Sequence, residues 1–227
     1  MSIHAKEYVK AFIEGHIAPK DFMSALERGP RVYDWLQFIV PQGKIFHKCL
    51  IHVNEMGENS FTIEGVPYDI RVAVDHLKTL CHGHPWCTYY YVHLEIVDLW
   101  RAAFPQETIE AGDSIKERFF FELDVVPRYI GGRDVYACGI LDDIIESIPK
   151  ALSRDERVAM GQRLVSEAFP VEGNKHPYWR QEADWQMGVN QKPMRFLYQK
   201  QEGNRYEYYF EDVLTREQRM VCQVSVG

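Results

Sequence analysis

The feature that most limits what this chain can fold into is a change of hydrophobic period at Pro170. Before it, apolar residues recur at three- and four-residue intervals over most of the sequence; after it, they alternate. The first spacing places apolar side chains on one face of a helix, the second on one face of a strand. The chain is therefore expected to be α+β, mainly helical over its N-terminal two-thirds, with a small antiparallel β-meander at the C-terminus. Residues 1–170 read as a mainly helical α+β domain. Residues 171–227 read as a Trp-containing loop followed by the meander, either a separate lobe or packed on the helices as one unit.

Ala5, Tyr8, Val9, Phe12 and Ile13 predict a first helix, with Ser2 as its cap and Gly15 as its stop. Pro19 sits at a first-turn position before Phe22, Met23 and Leu26, and Gly29-Pro30 separates that helix from a third holding Val32, Trp35, Leu36 and Ile39. Leu50, Ile51 and Val53, then Phe61 and Ile63, flank the polar run Asn54–Ser60 as a hairpin would. Helical spacing returns at Ile70–Leu80, stopped by Gly83 and Pro85, and again from Tyr89 to Phe104 and from Ser114 to Leu123. Val135, Tyr136, Ile140, Leu141, Ile144, Ile145 and Ile148 make one broad apolar face, and Ser153 with Glu156 has the spacing of a capping box. Three alternating segments follow, centred on Phe196, on Tyr206-Tyr208-Phe210 and on Met220-Cys222-Val224.

An apolar fraction of 46% with 26% charged residues is that of a globular chain, which excludes disorder and fibrous architectures. No apolar stretch is long enough to span a bilayer. MSIHAKEYVK lacks a basic start followed by an apolar core, so it does not read as a secretory signal. Five scattered cysteines, Cys49, Cys81, Cys87, Cys138 and Cys222, are an odd number and read as reduced thiols in the cytoplasm. Residues 107–146 hold ten acids and four bases, a charge of −6 against −7 for the whole chain. Such a field repels phosphate backbones and attracts basic surfaces, which argues against nucleic acid and for a cationic protein partner.

Five groups of residues invite chemical readings. Cys81, His82, His84 and Cys87 could hold zinc, with His47, Cys49 and His52 in reach, but the spacing lacks the paired short intervals of structural zinc sites. The plainer reading is a helix C-terminus, with His82 near the negative end of the dipole and Gly83 as a left-handed cap. A thiol near imidazole at His47, Lys48, Cys49 and His52 raises a Cys/His hydrolase, although adjacent strand residues diverge. Asp142, Asp143 and Glu146 read as a solvated helix face rather than a convergent acid/base pair. Gly131-Gly132 lacks the companions of a phosphate-binding loop and reads as a tight helix entry. Trp179 and Trp185 could stack on a glycan or anchor an irregular loop. No complete catalytic or metal-binding motif is present, and no cofactor is implied.

The segment Trp179, Trp185, Gly188, Pro193, Met194, Phe196 and Gln199 follows a W-x5-W-x2-G-x4-P-M-x-F-x2-Q pattern ahead of a terminal hairpin. With the opening YVKAFIEGHIAPKDFMSAL and the PRYIGG turn before a helix ending at Ser147-Ile148-Pro149, it resembles a group of bacterial polymorphic-toxin immunity proteins. These motifs are structural in type, and residues 45–120 carry no part of the resemblance. It implies a non-catalytic cytoplasmic protein that binds a toxin domain and occludes its active site. Many such toxins are basic and act on nucleic acids, so an acidic inhibitor would gain electrostatic steering. The expected contact residues are Glu107, Glu110, Asp113, Glu117, Asp142, Asp143 and Glu146.

Overall fold

The computed structural model describes residues 3–53 and 59–225, with the backbone alone described at Ile3, at 48–53 and at 59–61. The chain forms two compact units. One takes the residues up to Leu80 together with Trp86–Lys116; the other takes Cys81–Pro85 and Glu117 onward. Helices dominate the N-terminal two-thirds and a three-stranded antiparallel sheet closes the chain.

The first unit contains α1 (Ile3–Ile13), α2 (Pro19–Arg28), α3 (Pro30–Ile39), β1 (Ile45–Val53), β2 (Asn59–Pro67), α4 (Ile70–Leu80) and all but the first residue of α5 (Pro85–Ala103). Proline opens both α2 and α3, where a missing N–H costs no intrahelical bond. The aromatic faces meet in the core: Phe12 stacks on Phe22 at 3.7 Å, and Trp35 lies 6.0 Å from Trp100. The last turn of α1 exposes carbonyls that need donors. His93 from α5, buried, lies with Nε2 2.9 Å from Ile13 O and supplies one. The expected hairpin is β1 against β2, antiparallel from Ile45↔Pro67 to Val53↔Asn59. Ser2, expected to cap α1, and residues 54–58 of the expected turn lie outside the described residues.

The second unit holds most of α6 (Ser114–Val125), then α7 (Arg133–Ala137), α8 (Ile140–Ser147), α9 (Arg154–Ala168) and the strands β3 (Arg195–Glu202), β4 (Arg205–Glu211) and β5 (Gln218–Val224). The broad apolar face from Val135 to Ile148 belongs to two helices, not one, because Gly139 takes a left-handed φ of 78° between them. Ser153 and Glu156 form the expected capping box. The sheet order is β3-β4-β5, with Tyr206, Tyr208 and Phe210 of β4 turned into a core shared with Val125, Leu141 and Val165. Pro170, where the period changes, therefore lies inside this unit.

Two local expectations need correction. Pro85 does not end a helix but opens α5, which begins four residues before Tyr89. On β5, Met220, Cys222 and Val224 face outward and are exposed, whereas Gln223 is buried. The reason is that the Gln223 amide bonds backbone groups of the loop at Arg180, Gln181 and Glu182. No described helix is long and apolar enough to cross a membrane.

Candidate functional site

The motif residues of the Trp-rich segment build a clasp within the second unit. Trp185 is 1% exposed, and its indole Nε1 donates to Met194 O at 2.9 Å. Its backbone N donates to Gly131 O at 2.9 Å, and Trp179 Nε1 donates to Tyr129 O at 2.8 Å. The PRYIGG turn and the Trp loop are thus stitched together by two bonds to backbone carbonyls. Gly131 and Gly132 permit the approach, since Cβ atoms there would lie 3.2 Å from Ala183 Cβ and 3.3 Å from Asp184 Cα. Pro193, Met194 and Phe196 are buried, and Gln199 Oε1 accepts from Tyr178 N at 2.7 Å.

The far side of the same loop is fixed by side chains from the sheet. Gln223 Oε1 accepts from Arg180 N and Gln181 N at 3.0 and 2.9 Å, while its Nε2 donates to Glu182 O at 2.8 Å. Tyr208 Oη donates to Tyr178 O at 2.9 Å. Asp212 accepts from Val189 N at 2.6 Å through Oδ2, and from Leu214 N and Thr215 N at 2.7 and 3.0 Å through Oδ1. Those backbone N–H groups hold its carboxyl below the ordinary range. An irregular loop cannot satisfy its backbone by repeat, so these side chains do it.

A second cluster joins residues that the sequence does not bring together. Glu122, on α6, is 2% exposed, and its Oε1 lies 3.4 Å from Nε2 of His84 in the 81–85 segment. Glu122 Oε2, 3.7 Å from Arg118 Nε, accepts no hydrogen bond from any described residue. Arg118 Nη2 donates to Asp142 Oδ1 at 2.5 Å, which ties α6 to α8. The His84 ring lies 4.7 Å from that of Tyr136 on α7 and meets Phe119 edge-on at 5.9 Å. Burial pushes Glu122 up to about 7, helped by Asp142 and opposed by Arg118. Burial pushes His84 down to about 4, with Arg118 adding to it and Asp142 opposing. Tyr136 is raised to about 12 by burial and by the neighbouring Glu122. The signal in the sequence is faint: one Glu on the apolar side of a helix, and one His after a helix stop.

Of the expected contact residues, Glu107, Glu110, Asp113, Glu117, Asp143 and Glu146 are exposed, and Asp142 is half-buried on Arg118. Glu107 is paired with Lys6 at 2.5 Å. Glu107, Glu110 and Asp113 belong to the first unit, the other four to the second.

The expectation of five reduced thiols fails at two positions. Cys81 and Cys87 are disulfide-bonded, while Cys138 and Cys222 are free. A sulfur in a disulfide offers no thiolate to a metal, so the Cys81–His82–His84–Cys87 zinc reading loses its sulfur ligands. His82 instead takes a positive φ of 51° after α4 and pairs with Glu182 at 2.5 Å. Gly83, at φ 77°, is the left-handed residue expected there. The described residues include no group of three His, Cys, Asp or Glu placed to hold a metal. The side chains of Cys49 and His52 lie outside the described ones.

Comparison with protein-family models, with curated proteins and with solved structures finds no match to this chain.

Proposed function

We propose that this chain is an immunity protein: a non-catalytic inhibitor that binds a cognate bacterial toxin domain, a basic nuclease, and occludes its active site. One observation carries the reading. Nearly all the net charge lies in residues 107–146, and six of the seven carboxylates expected to make contact are exposed. An exposed acidic field draws in a basic partner and speeds encounter, and it repels the nucleic acid such a partner would cut. The Trp-rich motif supports the resemblance in a different way: its residues are consumed in packing a loop, as structural motif positions would be.

Two other readings have less behind them. A small-ligand or glycan-binding module would need Trp185 and Trp179 open, and Trp185 is buried. A metal- or Cys/His-dependent hydrolase loses the thiolates of Cys81 and Cys87, whose sulfurs are oxidised, and of its other cluster at residues 47–52 the side chains of Cys49 and His52 lie outside the described ones. The proposed compartment is the cytoplasm, and the two oxidised cysteines provide its test.

The probe is the C-terminal domain of a secreted protein encoded immediately upstream of this chain, where sequencing finds one, purified as an inactive variant. Charge reversal is made in two sets, Glu107/Glu110/Asp113 and Glu117/Asp143/Glu146, each to lysine. At least one set should lower the association rate about tenfold at low salt and flatten its salt dependence. Unchanged binding and salt dependence in both sets would overturn the reading.

A further inference from the structure

Glu122 is the least expected residue in the second unit. It is a carboxyl almost wholly withdrawn from water, with one oxygen taking no hydrogen bond from any described residue and the other 3.4 Å from an imidazole nitrogen. An ionised carboxylate in such a place would need donors at both oxygens. Arg118, the nearest cation, is committed at 2.5 Å to Asp142 and stands 3.7 Å from Glu122 Oε2. A neutral carboxylic acid has a simpler requirement. Its hydroxyl donates one bond, and an unprotonated imidazole nitrogen is the acceptor at hand.

We propose that Glu122 and His84 hold a single buried proton as a neutral carboxylic acid–imidazole pair, and that this pair is a proton-operated latch fastening the 81–85 segment to α6. The charged and titratable groups around it are Arg118 on α6, Tyr136 on α7 and Asp142 on α8. Adding a second proton makes a buried imidazolium beside the Arg118 guanidinium, and that like-charge contact, withdrawn from water, opens the latch on acidification. Removing the proton leaves a carboxylate, and Nε2 must then become the donor. The latch stays closed in that state with its polarity reversed. The same two residues thus give one opening on the acid side and a tautomer exchange near neutrality.

The test is nitrogen and carbon NMR titration of the whole chain, with His84 assigned by difference from H84N. At pH 5.5 the expected state is a protonated Glu122 carboxyl and a neutral His84 with Nε2 unprotonated. A step in the His84 Nε2 signal near pH 7 should be present in the wild type and absent in E122Q, whose amide cannot ionise but still donates. Amide exchange at 82–84 should accelerate as His84 takes up its proton in acid. An ionised Glu122 or an imidazolium His84 at pH 5.5 would overturn the proposal, as would survival of the neutral-pH step in E122Q. The wild-type spectra decide even where E122Q fails to fold.

Discussion

Gly188 lies so close to Asp212 that a methyl group on it would overlap the carboxylate Oδ2. That oxygen has nowhere to go, because Asp212 is pinned by the N–H groups of Val189, Leu214 and Thr215. Gly188→Ala should therefore destabilise the protein by about 2–3 kcal/mol, the cost of overpacking at a site that cannot relax. Urea unfolding midpoints check it. The Asp212 carboxyl is depressed in the fold, so the stability it contributes is present above the ordinary carboxyl range. It is lost as pH falls through the depressed value, and Asp212→Asn should abolish that acid-side slope.

The buried pair makes a prediction with two opposite signs. Glu122, raised from 4.5 to about 7, keeps its proton in the fold where the unfolded chain has released it, so its contribution falls as pH rises from 4.5 to 7. His84, lowered from 6.5 to about 4, stays neutral in the fold where the unfolded chain binds a proton, so its contribution falls as pH drops from 6.5 to 4. Between pH 4.5 and 6.5 each state of the pair carries one proton, on the carboxyl when folded and on the imidazole when unfolded. These groups then give a flat profile in the wild type. His84→Asn should lose about 3 kcal/mol between pH 4.5 and 7, and Glu122→Gln a similar amount on going from pH 6.5 to 4. Stability curves of both variants against pH read the two slopes directly.

The tryptophans separate packing from recognition. Trp185→Phe removes a buried indole and leaves Met194 O without its donor, which should cost about 2–4 kcal/mol. Trp179→Phe, losing the bond to Tyr129 O on a half-buried ring, should cost about 1 kcal/mol. Trp185→Phe should leave any response of the tryptophan emission to saccharides unchanged, because the Trp185 ring is covered.

Thiol counting addresses the compartment. Protein alkylated on extraction from its native host should show Cys81 and Cys87 blocked from reagent if it resides in an oxidising space. In the cytoplasm, where glutathione and thioredoxin keep thiols reduced, both should label after unfolding. Mass spectrometry of the labelled peptides gives the answer, with Cys138 and Cys222 as internal controls.

The class of fold was legible because period is a local property. Pro19 marked a helix start, Gly29-Pro30 marked the break between two helices, Ser153 and Glu156 marked a cap, and Tyr206-Tyr208-Phe210 marked a buried strand face. The features that period missed were decided by partners distant in sequence. Alternation at Met220, Cys222 and Val224 pointed the wrong face of β5 inward, because the buried position is taken by Gln223, which bonds a loop some forty residues earlier. The break at Gly139 was hidden by an apolar pattern that two short helices share as well as one long helix would. Glu122 and His84 were invisible as a pair, since a lone carboxyl in a helix and a lone imidazole after a cap carry no mark of meeting. The thiol at Cys81 gave no sign of its oxidation, because cysteine spacing alone does not fix connectivity.

One consequence of the chain's routing concerns fragments and nascent protein. The 81–85 segment leaves the ribosome well before Glu117–Gly227, yet it belongs to that later unit. Until α6 emerges, His84 has no Glu122 carboxyl to meet and titrates as an ordinary exposed imidazole. A fragment beginning at Glu117 would carry Glu122 with water in the place of that ring. Cutting this protein ahead of Glu117 would therefore yield a second half in which Glu122, less withdrawn from water, holds its proton less firmly than in the intact chain.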